Sequence, residues 1–252
     1  MLLVAGLFCL PHARAASFSS NPIMDAFVTT GAGGSLVNSN YGGAGVLGVA
    51  ASGLPQGEFQ SVLQFDLSGA FNSFNSQFGA GDWTVQSVTL RLSSAPANNG
   101  ILNTPAAGHF TVYRMVDNLW TEGNGAPASP SSTGITYNSL QSLINNSVDE
   151  NLGTFSYNGA ASGANNYTLQ VTSGFIADLM GGNDESFRLA AADSSVSYLF
   201  NSRNFNNSAN WPQLTIVAVP EPGAVWVLAM GGAMAGCVGI LRRRVQNETR
   251  VR

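Results

Sequence analysis

The sequence predicts an all-β protein: an antiparallel, jelly-roll-like β-sandwich, followed by a single C-terminal transmembrane helix. Three observations carry this expectation. Eight or nine short runs alternate apolar and polar residues, the period-two mark of strands with one buried face. Charged residues make up only 10% of the 252, against about 25% in ordinary globular domains. Gly, Ser, Asn and Thr fill the gap, so turn-rich loops separate the runs. Residues 223–241 carry no charge and precede Arg242, Arg243 and Arg244.

In chain order, Leu2–Leu10 is apolar and Ala13-Arg14-Ala15 offers a small-x-small cleavage site before Ala16. Residues 1–15 therefore have the form of a secretory signal peptide, although the usual basic segment ahead of the apolar run is missing. The domain expected over 16–219 opens with a strand at Asp25–Thr29. Gly43-Ala44-Gly45-Val46-Leu47-Gly48 has the spacing G-x-G-x-x-G. A nucleotide loop needs a helix start just beyond it, and Ser52-Gly53-Leu54-Pro55 breaks the chain there, so these glycines are assigned to turns. Strands follow at Ser61–Leu67, with Leu63, Phe65 and Leu67 on one face, at Val85–Leu92, with Val88, Leu90 and Leu92 inward, and at His109–Val116. Leu140, Leu143 and Ile144 form one short helical face. Tyr167–Val171 is a strand that passes into a short helix, Ser173–Met180, stopped by Gly181-Gly182. Ser186–Ala190, Val196–Phe200 and Leu214–Val219 complete the set. The strand pattern closes at Pro220, which has no N–H for a ladder.

Charge narrows the partners. The chain has no Lys, and residues 16–222 hold four arginines against thirteen carboxylates, a net charge of −9. Such a surface repels nucleic acid and other polyanions. Cys9 and Cys237 both lie in the terminal segments, so the domain has no disulfide. With His109 as its single histidine it cannot build a His/Cys zinc set within one chain, and no G-x-S-x-G elbow occurs. The remaining enzymatic option is a pair of carboxylates flanking a sugar, drawn from Asp117 and Glu122, Asp149-Glu150 or Asp184-Glu185; solvated loop charge is the plainer use of these residues. Asp82, Asp117-Asn118 and Asn183-Asp184-Glu185 supply the hard oxygen ligands that Ca2+ takes, without the spacing of a known calcium loop.

The tail has three parts in fixed order: Val219-Pro220-Glu221-Pro222, the apolar run Gly223–Leu241, and Arg242–Arg244. A helix of 19 residues at about 1.5 Å per residue spans a hydrocarbon core of roughly 30 Å. The arginines fix the tail, including residues 245–252, on the cytoplasmic side. This order resembles the PEP-CTERM sorting signal of Gram-negative bacteria, over residues 220–244. The resemblance implies processing by exosortase, a membrane-embedded peptidase, at Pro220, Glu221 and Pro222. It also implies an inner-membrane precursor that ends at the cell surface or in the extracellular matrix. An ordinary single-span anchor is the competing reading.

A second resemblance runs over residues 24–217. Asn40-Tyr41-Gly42, Leu63-Gln64-Phe65-Asp66-Leu67, Val88-Thr89-Leu90-Arg91-Leu92, Trp120-Thr121-Glu122-Gly123, Phe187-Arg188-Leu189 and Trp211-Pro212-Gln213-Leu214, in this order, are similar to the DNRLRE-type domain. That family is an extracellular β-sandwich with members that bind carbohydrate. The six letters that name it are absent here, and Tyr137 stands where a Trp is usual. The resemblance implies association with surface or matrix polysaccharide. Tyr41, Trp83, Trp120 and Tyr137 lie near predicted loops, where an aromatic face can lie under a sugar ring or serve as core. The expectation is a non-enzymatic exported protein. A polysaccharide-active enzyme and a structural surface protein without a small ligand stand as alternatives.

Overall fold

The computed structural model describes residues 14–95, 105–160 and 162–221. The predicted signal peptide up to Ala13, Pro222, the apolar run with its predicted membrane helix, Arg242–Arg244 and the tail after them lie outside the described residues. The strands are β1 (Ala16–Ser20), β2 (Met24–Thr29), β3 (Val46–Ala50), β4 (Phe59–Asp66), β5 (Trp83–Ala95), β6 (Gly108–Met115), β7 (Glu150–Tyr157), β8 (Ala164–Leu169), β9 (Asp184–Ala191), β10 (Ser197–Asn201) and β11 (Gln213–Pro220). Three helices interrupt them: α1 (Ser68–Phe78), α2 (Tyr137–Leu143) and α3 (Ser173–Gly181).

Every pairing among these strands is antiparallel, and together they form one curled sheet. One arm runs β2-β4-β9-β6-β7 and the other β1-β11-β5-β8. The β3/β10 pair joins them: Leu199 of β10 faces Ala95 at the end of β5, and Ala50 of β3 faces Phe59 of β4. Alternation explains the core. Leu63 and Phe65, Phe110 and Val112, and Phe187 and Leu189 from one arm share a buried cluster with Val88, Leu90 and Leu92 and with Leu214 and Ile216 from the other. Phe110 sits among Tyr167, Tyr198 and Phe200 at ring-centre distances of 5.1, 6.0 and 5.9 Å, each edge-on. Each such buried side chain stabilises the fold by about 1.5–3 kcal/mol.

Strands β2, β4 and β9 of the first arm are buried on both faces. The arm's outer side carries a second cluster: Ala26, Val28, Val62 and Met115 under Trp120, Ile135 and Leu140. Here α2 starts at Thr136, whose hydroxyl accepts the Ser139 N–H while Ser139 Oγ accepts the Thr136 N–H, a reciprocal cap. As the sequence predicts, α3 stops at Gly182, which sits at φ 62°, a left-handed position that glycine occupies without steric cost.

Four elements depart from the sequence expectation: β1, β3, β7 and α1. The stretch read as turns around Gly43–Gly48 does turn at Gly45, but its end is strand β3. A Cβ on Gly48 would stand 2.8 Å from the Phe59 ring, so this glycine serves close packing rather than a bend. Helix α1 is made of weak helix formers, but Ala70, Phe71, Phe74 and Phe78 face the core. Phe74 packs 5.1 Å from Trp83, and Asp66 Oδ1 accepts the Ser68 N–H at 2.7 Å. Strand β1 lies against β11, with Ala16 opposite Ala218.

Candidate functional site

Of the four predicted aromatic positions, Tyr41 and Trp83 are core residues. Tyr41 stacks on Phe27, with ring centres 4.7 Å apart, and only 1% of it is exposed. Trp83 lies under α1 and donates its indole N–H to Asn75 Oδ1 at 2.8 Å. Rings covered in this way have no open face for a sugar. Trp120 is also buried and donates to Ser186 Oγ at 3.0 Å, though its edge lines a surface hollow. Tyr137 is half-buried; its hydroxyl donates to Glu58 Oε2 at 2.9 Å, and burial, with Glu58 beside it, pushes its pKa up to about 12. Of the residues predicted to be processed, Ala15 is exposed just before β1, Pro220 is the last residue of β11 and Glu221 follows it exposed.

One group of polar side chains of the first arm gathers on its outer face. Register places Val62 of β4, Arg188 of β9 and Tyr113 of β6 in one row. The Arg188 guanidinium lies 4.3 Å from the centre of the Tyr113 ring, a cation–π contact, and its Nη1 donates to Gln60 Oε1 at 3.0 Å. Gln60 in turn donates to Glu58 Oε1 at 2.5 Å, so Tyr137, Glu58, Gln60, Arg188 and Tyr113 form one chain. Burial lowers the pKa of Arg188, and its buried Nε–H has no partner.

Over the next row runs the segment after β6. Gln64 Nε2 donates to the Asn118 carbonyl at 2.9 Å and to Ser186 Oγ at 3.2 Å. Asn118 Nδ2 reaches the Asp184 carbonyl at 2.9 Å, while Asn118 Oδ1 is buried without a partner. The Val116 N–H donates to Asp149 Oδ1 and the Leu119 N–H to Asp117 Oδ1. These bonds hold Leu119 outward, 90% exposed. Between this segment and α2 lies a hollow of about 520 Å³ walled by Val116, Leu119, Leu143 and Val148 and edged by Asp117 and Asn118. A second hollow of about 230 Å³ adjoins it across Leu119 and Leu143, reaching Trp120 and Ile135. Apolar walls with a few placed polar atoms are the usual make-up of a ligand site.

The carboxylates proposed from the sequence sort differently. Glu150 and Glu185, from separate acidic pairs, meet at Arg114 together with Asp178. Glu185 is fully buried, and burial pushes its pKa up to about 9 against the pull of Arg114. The ion pairs occupy this cluster, and neither hollow is lined by its residues. Glu122 is engaged elsewhere: Arg203 Nε and Nη2 grip its two oxygens at 2.9 and 2.8 Å. Asp25 lies beside it, fully buried, accepting the Arg203 N–H at 2.7 Å. Among the described residues no three or more Asp, Glu, His or Cys side chains gather as a metal-binding group.

Asn40 explains why the Asn-Tyr-Gly and Trp-Thr-Glu-Gly stretches belong together. Its Nδ2 donates to the Glu122 and Ile135 carbonyls, both at 2.7 Å, and its Oδ1 accepts the N–H groups of Gly42 and Gly125 at 3.1 Å. The sequence offers Asn118 as a loop oxygen ligand and Arg188 as an arginine at an outward position of a strand, and nothing in the strand pattern brings the two to one face. No protein-family model matches this chain, and no curated protein matches it.

Proposed function

We propose that this is a non-enzymatic exported protein that associates with extracellular or surface polysaccharide through the outer face around Arg188 and the hollow at Leu119. The curled sheet is read as a jelly-roll-like sandwich of the DNRLRE type. The tail is read as a PEP-CTERM signal, which brings the chain to the inner membrane for processing by exosortase. One observation carries the binding site. The exposed apolar walls of the hollow, Leu119 and Val148 foremost, stand beside the polar side chains of Asp117, Asn118, Ser142 and Asn145. A sugar offers the matching set, hydroxyls that both donate and accept and a C–H face that packs on apolar side chains. The net charge of −9 over residues 16–222 favours neutral polymers, with Ca2+ as the ion that would bridge an acidic one.

The test is co-sedimentation with insoluble neutral and acidic polysaccharides, with Ca2+ and with a chelator, for the wild-type chain, Leu119→Asp and Asn118→Ala. Binding by the wild type, weakened about tenfold or more in both variants while their unfolding midpoints hold, is the expected result. No sedimentation with any polymer in either condition removes the carbohydrate reading. Concentration-dependent self-assembly without polymer would instead favour a structural surface protein.

A further inference from the structure

We propose that the folded domain clasps its own processing segment, so that the end of β11 must open before the sorting cleavage can occur. This rests on the reading of Pro220-Glu221-Pro222 as the processing motif. The geometry is that of a strand rather than a linker. Val219 faces Thr84 and Pro220 faces Trp83 across the β11/β5 ladder, and the Glu221 N–H donates to the Asp82 carbonyl at 2.9 Å. The strand opposite is fixed: Trp83 is 3% exposed, packed on Phe74 and bonded to Asn75. On its other edge β11 is paired with β1 as far as Ala218.

Peptidases bind substrate as extended chain, through backbone groups that must be free to pair. Hydrolysis adds water across one peptide bond, the hydroxyl going to the acyl carbon and the proton to the leaving amine. A free stretch on both sides of that bond is therefore required. Only Glu221 and Pro222 separate Pro220 from the apolar run. At about 3.3 Å per residue they reach less than 10 Å, close to the depth of one headgroup layer, which is about 5–8 Å. A membrane-embedded peptidase that needs several extended residues must therefore draw them from β11. The clasp is weak where it must yield, because Pro220 contributes no N–H donor.

The test uses the full chain, expressed in a host that carries an exosortase, with cysteines at the facing pair, Thr84→Cys and Val219→Cys. Directly opposed antiparallel residues lie within disulfide reach, and no native cysteine lies between residues 16 and 222. Wild type and each single variant should lose the tail at one rate. The oxidised double variant should process at least tenfold more slowly and recover on reduction, and Trp83→Ala should process several-fold faster. Equal rates for the oxidised and reduced double variant overturn the clasp. If the wild type keeps its tail in this host, the sorting reading falls, and the clasp is judged by hydrogen exchange of the full chain in detergent. Protection of the Glu221 amide comparable to that of Val217 supports it, and exchange at the rate of an unstructured amide overturns it.

Discussion

Asp25→Asn should stabilise the protein at neutral pH and destabilise it in acid. Asp25 is fully buried; its Oδ2 accepts the Arg203 N–H, and its Oδ1 has no partner. Burial raises its pKa from an ordinary 3.8 to about 7, with Glu122 adding to the rise and Arg203 opposing it. The sign follows from proton binding. Between these two values the folded state holds a proton that the unfolded state has released, so stability falls as pH rises across that window. The difference between 3.8 and about 7 amounts to about 4 kcal/mol. Asparagine removes this penalty and keeps an oxygen for the Arg203 N–H. It also places an amide N–H₂ where Oδ1 stood, at a cost of about 1–3 kcal/mol if unsatisfied. The net expectation is a gain of about 1–3 kcal/mol at pH 8 and a loss of similar size at pH 4. Urea unfolding of both chains from pH 4 to pH 8 gives the difference directly. Parallel stability curves across that range would refute the reasoning.

Two further substitutions test how the loops are held. Asn40→Ala leaves a buried and a part-buried carbonyl and two buried backbone N–H groups without their partner. It should cost about 3 kcal/mol or more, measured as a lowered urea midpoint at an unchanged denaturant slope. Gly174→Ala sits in α3, where helix propensity alone favours alanine by about 1 kcal/mol. The new Cβ would collide with Glu150 Oε2 and stand 2.5 Å from Arg114 Nη1. Overpacking at a cost of about 1–3 kcal/mol should win, and a raised melting temperature would show that the Arg114 cluster yields.

Much of the fold was legible from alternation, and each failure has a local cause. Strands β2, β4, β5, β6, β9, β10 and β11 lie close to where the sequence placed them, although β5 carries a bulge of its own at Gln86, since Ser87 faces Val217 while Val85 faces Ala218. Strand β7 breaks the period. Val112 faces Gly153 while Tyr113 faces Asn151, so Leu152 is an extra residue and the inward positions change parity along the strand. Strand β1 has Phe18 as its single large apolar residue, and Ser17, Ser19 and Ser20 look like loop. Helix α1 was obscured by its Asn, Ser and Gly, although Phe71, Phe74 and Phe78 already have helical spacing. The candidate site was hidden for a different reason. Alternation tells which way Arg188 points, but its partner Gln60 is 128 positions away. Likewise Glu150 and Glu185 look like separate acidic loops until the sheet brings both to Arg114.

The facing of Ala16 and Ala218 makes the described domain nearly a ring. Opposed residues in an antiparallel ladder lie about 5 Å apart, so a bridge of a few residues would turn β1 and β11 into a hairpin. The circle could then be reopened at the exposed tip around Ser52 and Gly53, where new ends are tolerated best. A cargo protein joined directly before Ala16 or directly after Glu221 would leave the fold from nearly the same spot.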